Sequence, residues 1–162
     1  MWIPLLLSVV LAGPIATPTG TIQGSIAPPE KVKITKPVQV VVFSGEYVNV
    51  YLAELQDRLD TYWREFIGVF IQDKESFLIF RERAQRQALE SAVNRMKRDD
   101  PRNAAKFVQT ATNNSFKFQN VPQGECRVVA LVTIGNQEFV WSESVILTSD
   151  TSALVILKPT VP

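Results

Sequence analysis

Hydrophobic positions change their period twice along this chain. Thr21 to Ala27 and Val38 to Phe43 are rich in β-branched residues, set apart by Pro28-Pro29 and the polar Glu30-Lys-Val-Lys33, and predict strands with a turn between them. From Tyr47 to Arg98 there is no proline and one glycine. Apolar residues there fall at Val48, Leu52, Leu55, Leu59, Tyr62, Phe66 and Phe70, steps of three and four that mark a helix. A second run, Phe77, Phe80, Ala84, Ala88, Ala92 and Met96, closes with Lys97-Arg98 and the stop Asp99-Asp100-Pro101. After Thr110 the pattern alternates again. Phe116 and Phe118, then Val128 and Ala130, interleave with polar residues on either side of Val121-Pro-Gln-Gly124, and Trp141 to Leu147 and Ala153 to Leu157 predict two further strands.

Chain geometry decides between one helix and two. A single helix of about 50 residues would be about 75 Å long, while the roughly 15 residues from Asp99 to Asn113 return at most about 50 Å when fully extended. A fold-back is therefore expected, with its bend at Gln72-Asp-Lys-Glu-Ser76 and Asp73 capping the second helix. Charge points the same way. Residues 46–73 carry six acidic and two basic side chains, a balance of −4, and residues 74–98 carry seven basic and three acidic, a balance of +4. Antiparallel packing sets opposite signs side by side, so pairing across the hairpin is expected.

The first 29 residues carry no charged side chain, and the apolar run from Trp2 to Ala12 is shorter than a spanning helix. It reads as a signal peptide over residues 1–12, so export to a periplasm or the exterior is expected, with an uncleaved membrane anchor as the alternative. The remaining length suits one domain, read as a β-sandwich over 20–45 and 110–159 with a helical hairpin insertion over 46–100.

The strand segments resemble the carboxypeptidase regulatory-like, or transthyretin-like, β-sandwich family. The resemblance is carried by Gly20-Thr-Ile-Gln-Gly24-Ser-Ile26, Val38-Gln-Val-Val-Val42, Thr110-Ala-Thr112, Phe116-Lys-Phe118 and Val121-Pro-Gln-Gly124, and covers about half the chain. It implies a mainly β fold of about seven strands, interrupted here by the long antiparallel hairpin. Ser115 stands where that family has glycine, Cys126 where it has tyrosine, and the hairpin replaces a short connection. In that family the sandwich accompanies peptidase chemistry and does not perform it.

Composition narrows the chemistry. The chain has no histidine, which removes the commonest general base and metal ligand. Its seven glycines form no phosphate-binding loop, and no acidic cluster has calcium-loop spacing. No catalytic, cofactor or metal residue is expected, and the protein reads as a non-enzyme. A carboxylate pair such as Glu143 and Asp150 has the groups for acid–base work, but strands and turns display such residues routinely. Cys126 reads as a small buried hydrophobe, with an intermolecular disulfide as the alternative, and Asn113-Asn-Ser115 fits a glycosylation acceptor. A net charge of +1 gives no footprint for nucleic acid.

The hairpin tip holds the candidate interaction surface: Trp63, Phe66, Ile67, Phe70, Ile71, Phe77, Leu78 and Phe80. Apolar residues nearly encircle both helices there, so the tip is either packed on the sandwich or held for a protein partner, a second copy or a membrane surface. The leading expectation is a protein-binding or self-associating module. Two others stand beside it: a carbohydrate- or envelope-binding sandwich using Trp141 and Tyr47 as stacking platforms, and an accessory subunit of a separate enzyme.

Overall fold

A computed structural model describes residues 17–159 apart from Lys31, Asn136 and Ser149; the expected signal peptide over residues 1–12 lies outside the described residues. Among the described residues there are seven strands and three helices in a mixed α/β arrangement. They are β1 (Thr19–Ile26), β2 (Val38–Ser44), α1 (Glu46–Gln72), α2 (Lys74–Asp99), α3 (Pro101–Phe107), β3 (Val108–Ala111), β4 (Ser115–Pro122), β5 (Gly124–Ile134), β6 (Gln137–Leu147) and β7 (Ser152–Leu157).

The strands form a three-stranded sheet, β4-β1-β7, and a four-stranded sheet, β3-β2-β5-β6. All neighbours are antiparallel except β1 and β7, which run parallel. Ile22, Phe118, Val128, Trp141 and Leu157 belong to the core between the sheets. A second core joins Val41, Phe43, Val129 and Val140 to Tyr51, Leu89, Val93 and Met96 of the helix pair. This explains the unbroken apolar run in β2. Val40 and Val42 enter the sandwich while Val41 and Phe43 enter the helix layer, so the strand is buried on both faces. The protein has three layers, and the four-stranded sheet is shared by both cores.

Two turns owe their shape to particular residues. Asn113 and Asn114 both have positive φ, 50° and 59°, and Thr112 and Ser115 exchange backbone hydrogen bonds of 3.0 and 2.9 Å around them, a primed two-residue turn at the glycosylation-like triplet. The Val-Pro-Gln-Gly segment is a corner between the sheets, because β4 lies in one and β5 in the other. Gly24 serves a close approach: a Cβ there would lie 1.9 Å from the carbonyl oxygen of Val155 on β7.

The hairpin folds back where expected. α1 ends at Gln72 and α2 starts at Lys74, with the Asp73 carboxylate accepting from the Glu75 amide at 3.0 Å. The return from the hairpin carries a further helix, in which Asp100 caps α3 through the Asn103 amide and Pro101 occupies its first turn. Asp-Pro both stops one helix and starts the next, since proline lacks only an N–H that the first turn leaves unused. One expectation is corrected. The opposite net charges of α1 and α2 form no ion pair between the helices among the described residues. Glu54–Arg58, Arg86–Glu90 and Arg95–Asp99 lie within a helix, and Arg86 reaches across to Glu138 on β6. The polar links between the two helices are Arg58 and the Tyr62 hydroxyl, both donating to the Gln87 side chain. Small Ala84, Ala88 and Ala92, all buried, allow the helices close contact, which leaves long charged side chains outside the seam.

Candidate functional site

The hairpin is held by its base. Tyr47, Val48 and Tyr51 of α1 and Ala88 to Met96 of α2 pack on the four-stranded sheet, and the rings of Phe43 and Tyr51 stack at 5.2 Å. Toward the bend neither core extends, and the helices pack on each other instead. Phe66 lies 4.8 Å from Phe80, Phe70 lies 5.4 Å from Phe77 and 5.3 Å from Phe80, and Tyr62 meets Phe80 edge-on at 5.1 Å. These tilted contacts make a satellite aromatic core confined to the tip.

The eight candidate residues divide into two sets. Phe70 is buried, and Phe66, Phe77, Leu78 and Phe80 are half-buried, so they form the interior of the tip. Trp63, Ile67 and Ile71 are 48, 41 and 73 % exposed, one every fourth residue of α1, which makes a continuous apolar stripe on that helix. Val69 and Ile79, outside the candidate set, are also exposed. The repeat itself separates the two sets. Tyr62, Phe66 and Phe70 of the apolar series face the partner helix, and 63, 67 and 71 lie one step off them, with Trp63 still reaching Phe77 at 5.9 Å.

The bend is fixed by its cap. The Ser76 hydroxyl and the Glu75 amide both donate to the Asp73 carboxylate, and these bonds, the hydroxyl first, hold its carboxyl below the usual range. Among the described residues no helix is long and apolar enough to cross a membrane, and no acidic or cysteine cluster has the makings of a metal site.

Other expected residues are placed differently. Trp141 is 1 % exposed, with its indole N–H donating to the Ala27 carbonyl at 3.2 Å, and Tyr47 is buried against the helix core. Neither offers a face to a sugar, which corrects the expected platforms. Cys126 is buried in the sandwich, and burial pushes its thiol up to about 11, which fits the small buried hydrophobe. Glu143 and Asp150 line separate clefts and make no common site. A cleft of about 750 Å³ between α2 and the β5–β6 turn is lined by Ile79, Glu82, Arg86 and Glu138. Of its two guanidiniums, Arg86 is paired, 2.7 Å from Glu138 and 2.9 Å from Glu90, and Arg83 lies over the Phe80 ring at 5.6 Å, while burial raises the Glu82 carboxyl.

No protein-family model and no curated protein matches the chain. Among solved structures it is similar to a crystal structure of a Pseudomonas aeruginosa protein, described provisionally as a carbohydrate binding protein, at 15 % identity, over 88 % of this chain and 89 % of that one, with a TM-score of 0.38. At that distance no residue of the neighbour maps onto a site in this chain.

Proposed function

We propose that this protein is an exported, non-enzymatic protein-binding or self-associating module, in which a sandwich of the carboxypeptidase regulatory-like type grips a helical hairpin by its base and offers the tip to a partner. One observation carries the reading: Trp63, Ile67 and Ile71 form an exposed apolar stripe on helices that project past both cores. The tip has its own aromatic interior, to which Trp63 adds an edge contact with Phe77 at 5.9 Å, while Ile67 and Ile71 make no contact of that kind and stay exposed. Apolar surface of this kind at the end of a long lever marks an interaction site. The assignment of the sandwich draws on the Gly20/Gly24 strand and the Val-Pro-Gln-Gly corner, and export on the uncharged first 29 residues.

A photo-crosslinking residue at Ile67, introduced in cells that make the protein, tests this reading. An adduct of defined mass is expected at position 67 and none at Lys117, which is exposed on β4. Absence of any adduct at 67 contradicts the reading.

A second reading, carbohydrate binding, retains one observation in its favour. Trp63 presents a half-exposed indole, the aromatic type that stacks on sugar faces. Its signature is a change in Trp63 emission on adding cell-envelope polysaccharide to a Trp141→Phe variant, and unchanged emission across such a panel removes it.

A further inference from the structure

The three-stranded sheet leaves the outer edge of β7 open, since that strand pairs with β1 alone. Thr151 and Leu157 turn their carbonyls to β1 and accept from the Thr21 and Ala27 amides, each at 2.9 Å. Successive residues of a strand aim their peptide groups to opposite sides. The N–H and C=O groups of Ser152, Leu154 and Ile156 therefore point away from β1, and among the described residues they bond to no other backbone group. β6 does not cover them, because a groove of about 470 Å³ separates Leu154 and Ile156 from Glu143 and Val145. We propose that this edge pairs with the same edge of a second copy of the chain, antiparallel, with Leu154 opposite Leu154 of the partner subunit. The proposal goes beyond the hairpin tip and does not rest on it.

The other sheet edges are protected against such pairing. β3 is four residues long, β4 meets β1 with a register shift and carries Lys117 and Pro122, and β6 carries Glu138 and Glu143. Shortness, bulges, proline and charge are the devices that keep edges from pairing. β7 has none of them: Ser152-Ala-Leu-Val-Ile-Leu157 is uncharged, lacks proline and keeps unbroken register with β1. Leu154 and Ile156 are 75 and 51 % exposed, while Val155 and Leu157 enter the sandwich core. A bare strand of this composition recruits further strands. Two-fold pairing uses the open edge of each copy, so assembly stops at two.

Hydrogen bonding fixes the register and charge fixes the direction. Leu154 is the middle one of the outward-pointing residues, so placing it opposite itself sets Ser152 against Ile156 of the partner subunit and satisfies every outward N–H and C=O of the strand. Leu154 then meets Leu154 of the partner subunit directly and Ile156 of the partner subunit on the diagonal. The two ends of β7 carry opposite charges. Asp150, in the turn that leads into the strand, lines a cleft with Thr21, Gln119 and Ser152 on the outer face of the three-stranded sheet, and Lys158, just past the strand, lies beside Leu154 and Ile156 on that face. Neither enters an ion pair among the described residues. Antiparallel pairing brings Lys158 toward Asp150 of the partner subunit at both ends, whereas parallel pairing sets like charges together. A strand of this length spans about 20 Å, which places the interface below the roughly 1,200 Å² typical of stable complexes and makes the association reversible.

Cysteine trapping on the purified chain is the test, because the native Cys126 is buried and does not compete. Opposed residues of such a strand pair have Cα atoms about 5.5 Å apart, within reach of a disulfide. Under mild oxidation Leu154→Cys is expected to form a linked dimer. Ser152→Cys and Ile156→Cys are each expected to stay monomeric alone and to link to one another when mixed. Equal trapping at all of these positions, the mark of parallel pairing or random collision, overturns the proposal, as does no trapping at 154. Sedimentation equilibrium from micromolar to millimolar concentration gives an independent result. The wild type is expected to pass from monomer to dimer without larger species, and Leu154→Lys to remain monomeric, because it sets two ammonium groups against each other on the axis. A wild type that stays monomeric throughout overturns the proposal. Ile67→Lys, at the hairpin tip, is expected to leave this dimer intact, and a dimer lost in Ile67→Lys but kept in Leu154→Lys would place the contact at the tip and overturn the pairing through β7.

Discussion

Replacing Trp141 with alanine is expected to destabilise the fold by about 3–5 kcal/mol, measured as the shift of the urea unfolding curve. Trp141 sits on β6, whose inward residues close the sandwich core. It is 1 % exposed, its ring stacks on Phe139 with centroids 6.3 Å apart, and its indole N–H satisfies the Ala27 carbonyl just past the end of β1. The alanine variant therefore leaves a large cavity and strips the Ala27 carbonyl of its partner. Trp141→Phe keeps most of the volume and loses the hydrogen bond, so a smaller cost of about 1–2 kcal/mol is expected. Equal effects for the two variants would place the stabilisation in the hydrogen bond and contradict the packing account.

Phe70→Asp is expected to open the tip while leaving the rest of the molecule folded. Phe70 is 5 % exposed and touches Trp63, Phe66, Phe77 and Phe80, so a carboxylate there must either stay buried without a partner or pull the satellite core apart. Loss of the ring alone costs about 3–5 kcal/mol. The tip core is separate from the two cores on either face of the four-stranded sheet, so the loss is expected to remain local. Amide exchange should accelerate about 100-fold or more through residues 62–80, while Tyr51, Leu89 and Val93, packed on the four-stranded sheet, keep their protection. Uniform acceleration across the chain would mean that tip and sandwich unfold as one unit.

The contrast between Phe70 and Ile71 also measures what was legible in the sequence. The hairpin was legible because steps of three and four persist through fifty residues, and because chain length forbids a single helix. Its bend was legible because Asp73 is a cap residue in a polar gap. The strands were legible from alternation, although the same residues do not reveal that β4 and β5 belong to different sheets, since alternation carries no information about neighbours. Only contact with the helix layer shows why Val41 and Phe43, out of phase with Val40 and Val42, are apolar too.

Residue type alone does not resolve the apolar residues at the bend. Eight apolar residues near the bend look alike by type, and what separates them is angular position on the helix, one step off the interior series for Trp63, Ile67 and Ile71. α3 is not legible, because Asp-Pro stops one helix as readily as it starts the next. Cross-hairpin ion pairing was expected from net charge alone, which does not say where each side chain points. Trp141 and Tyr47 were expected at the surface because aromatic type was the only cue, and burial in two separate cores decided otherwise.

The measurement that reaches the central claim most directly is the unfolding free energy of Ile67→Lys/Ile71→Lys at a concentration where the chain is monomeric. Lysine is a good helix former and its charge suits the last turn of α1, so neither change strains the helix itself. If the stripe is a surface held for a partner, the variant matches the wild type to within about 1 kcal/mol and loses the crosslink formed from the tip. A loss of several kcal/mol would show instead that these residues are part of the packed core, and would contradict the account of the hairpin tip as a docking surface.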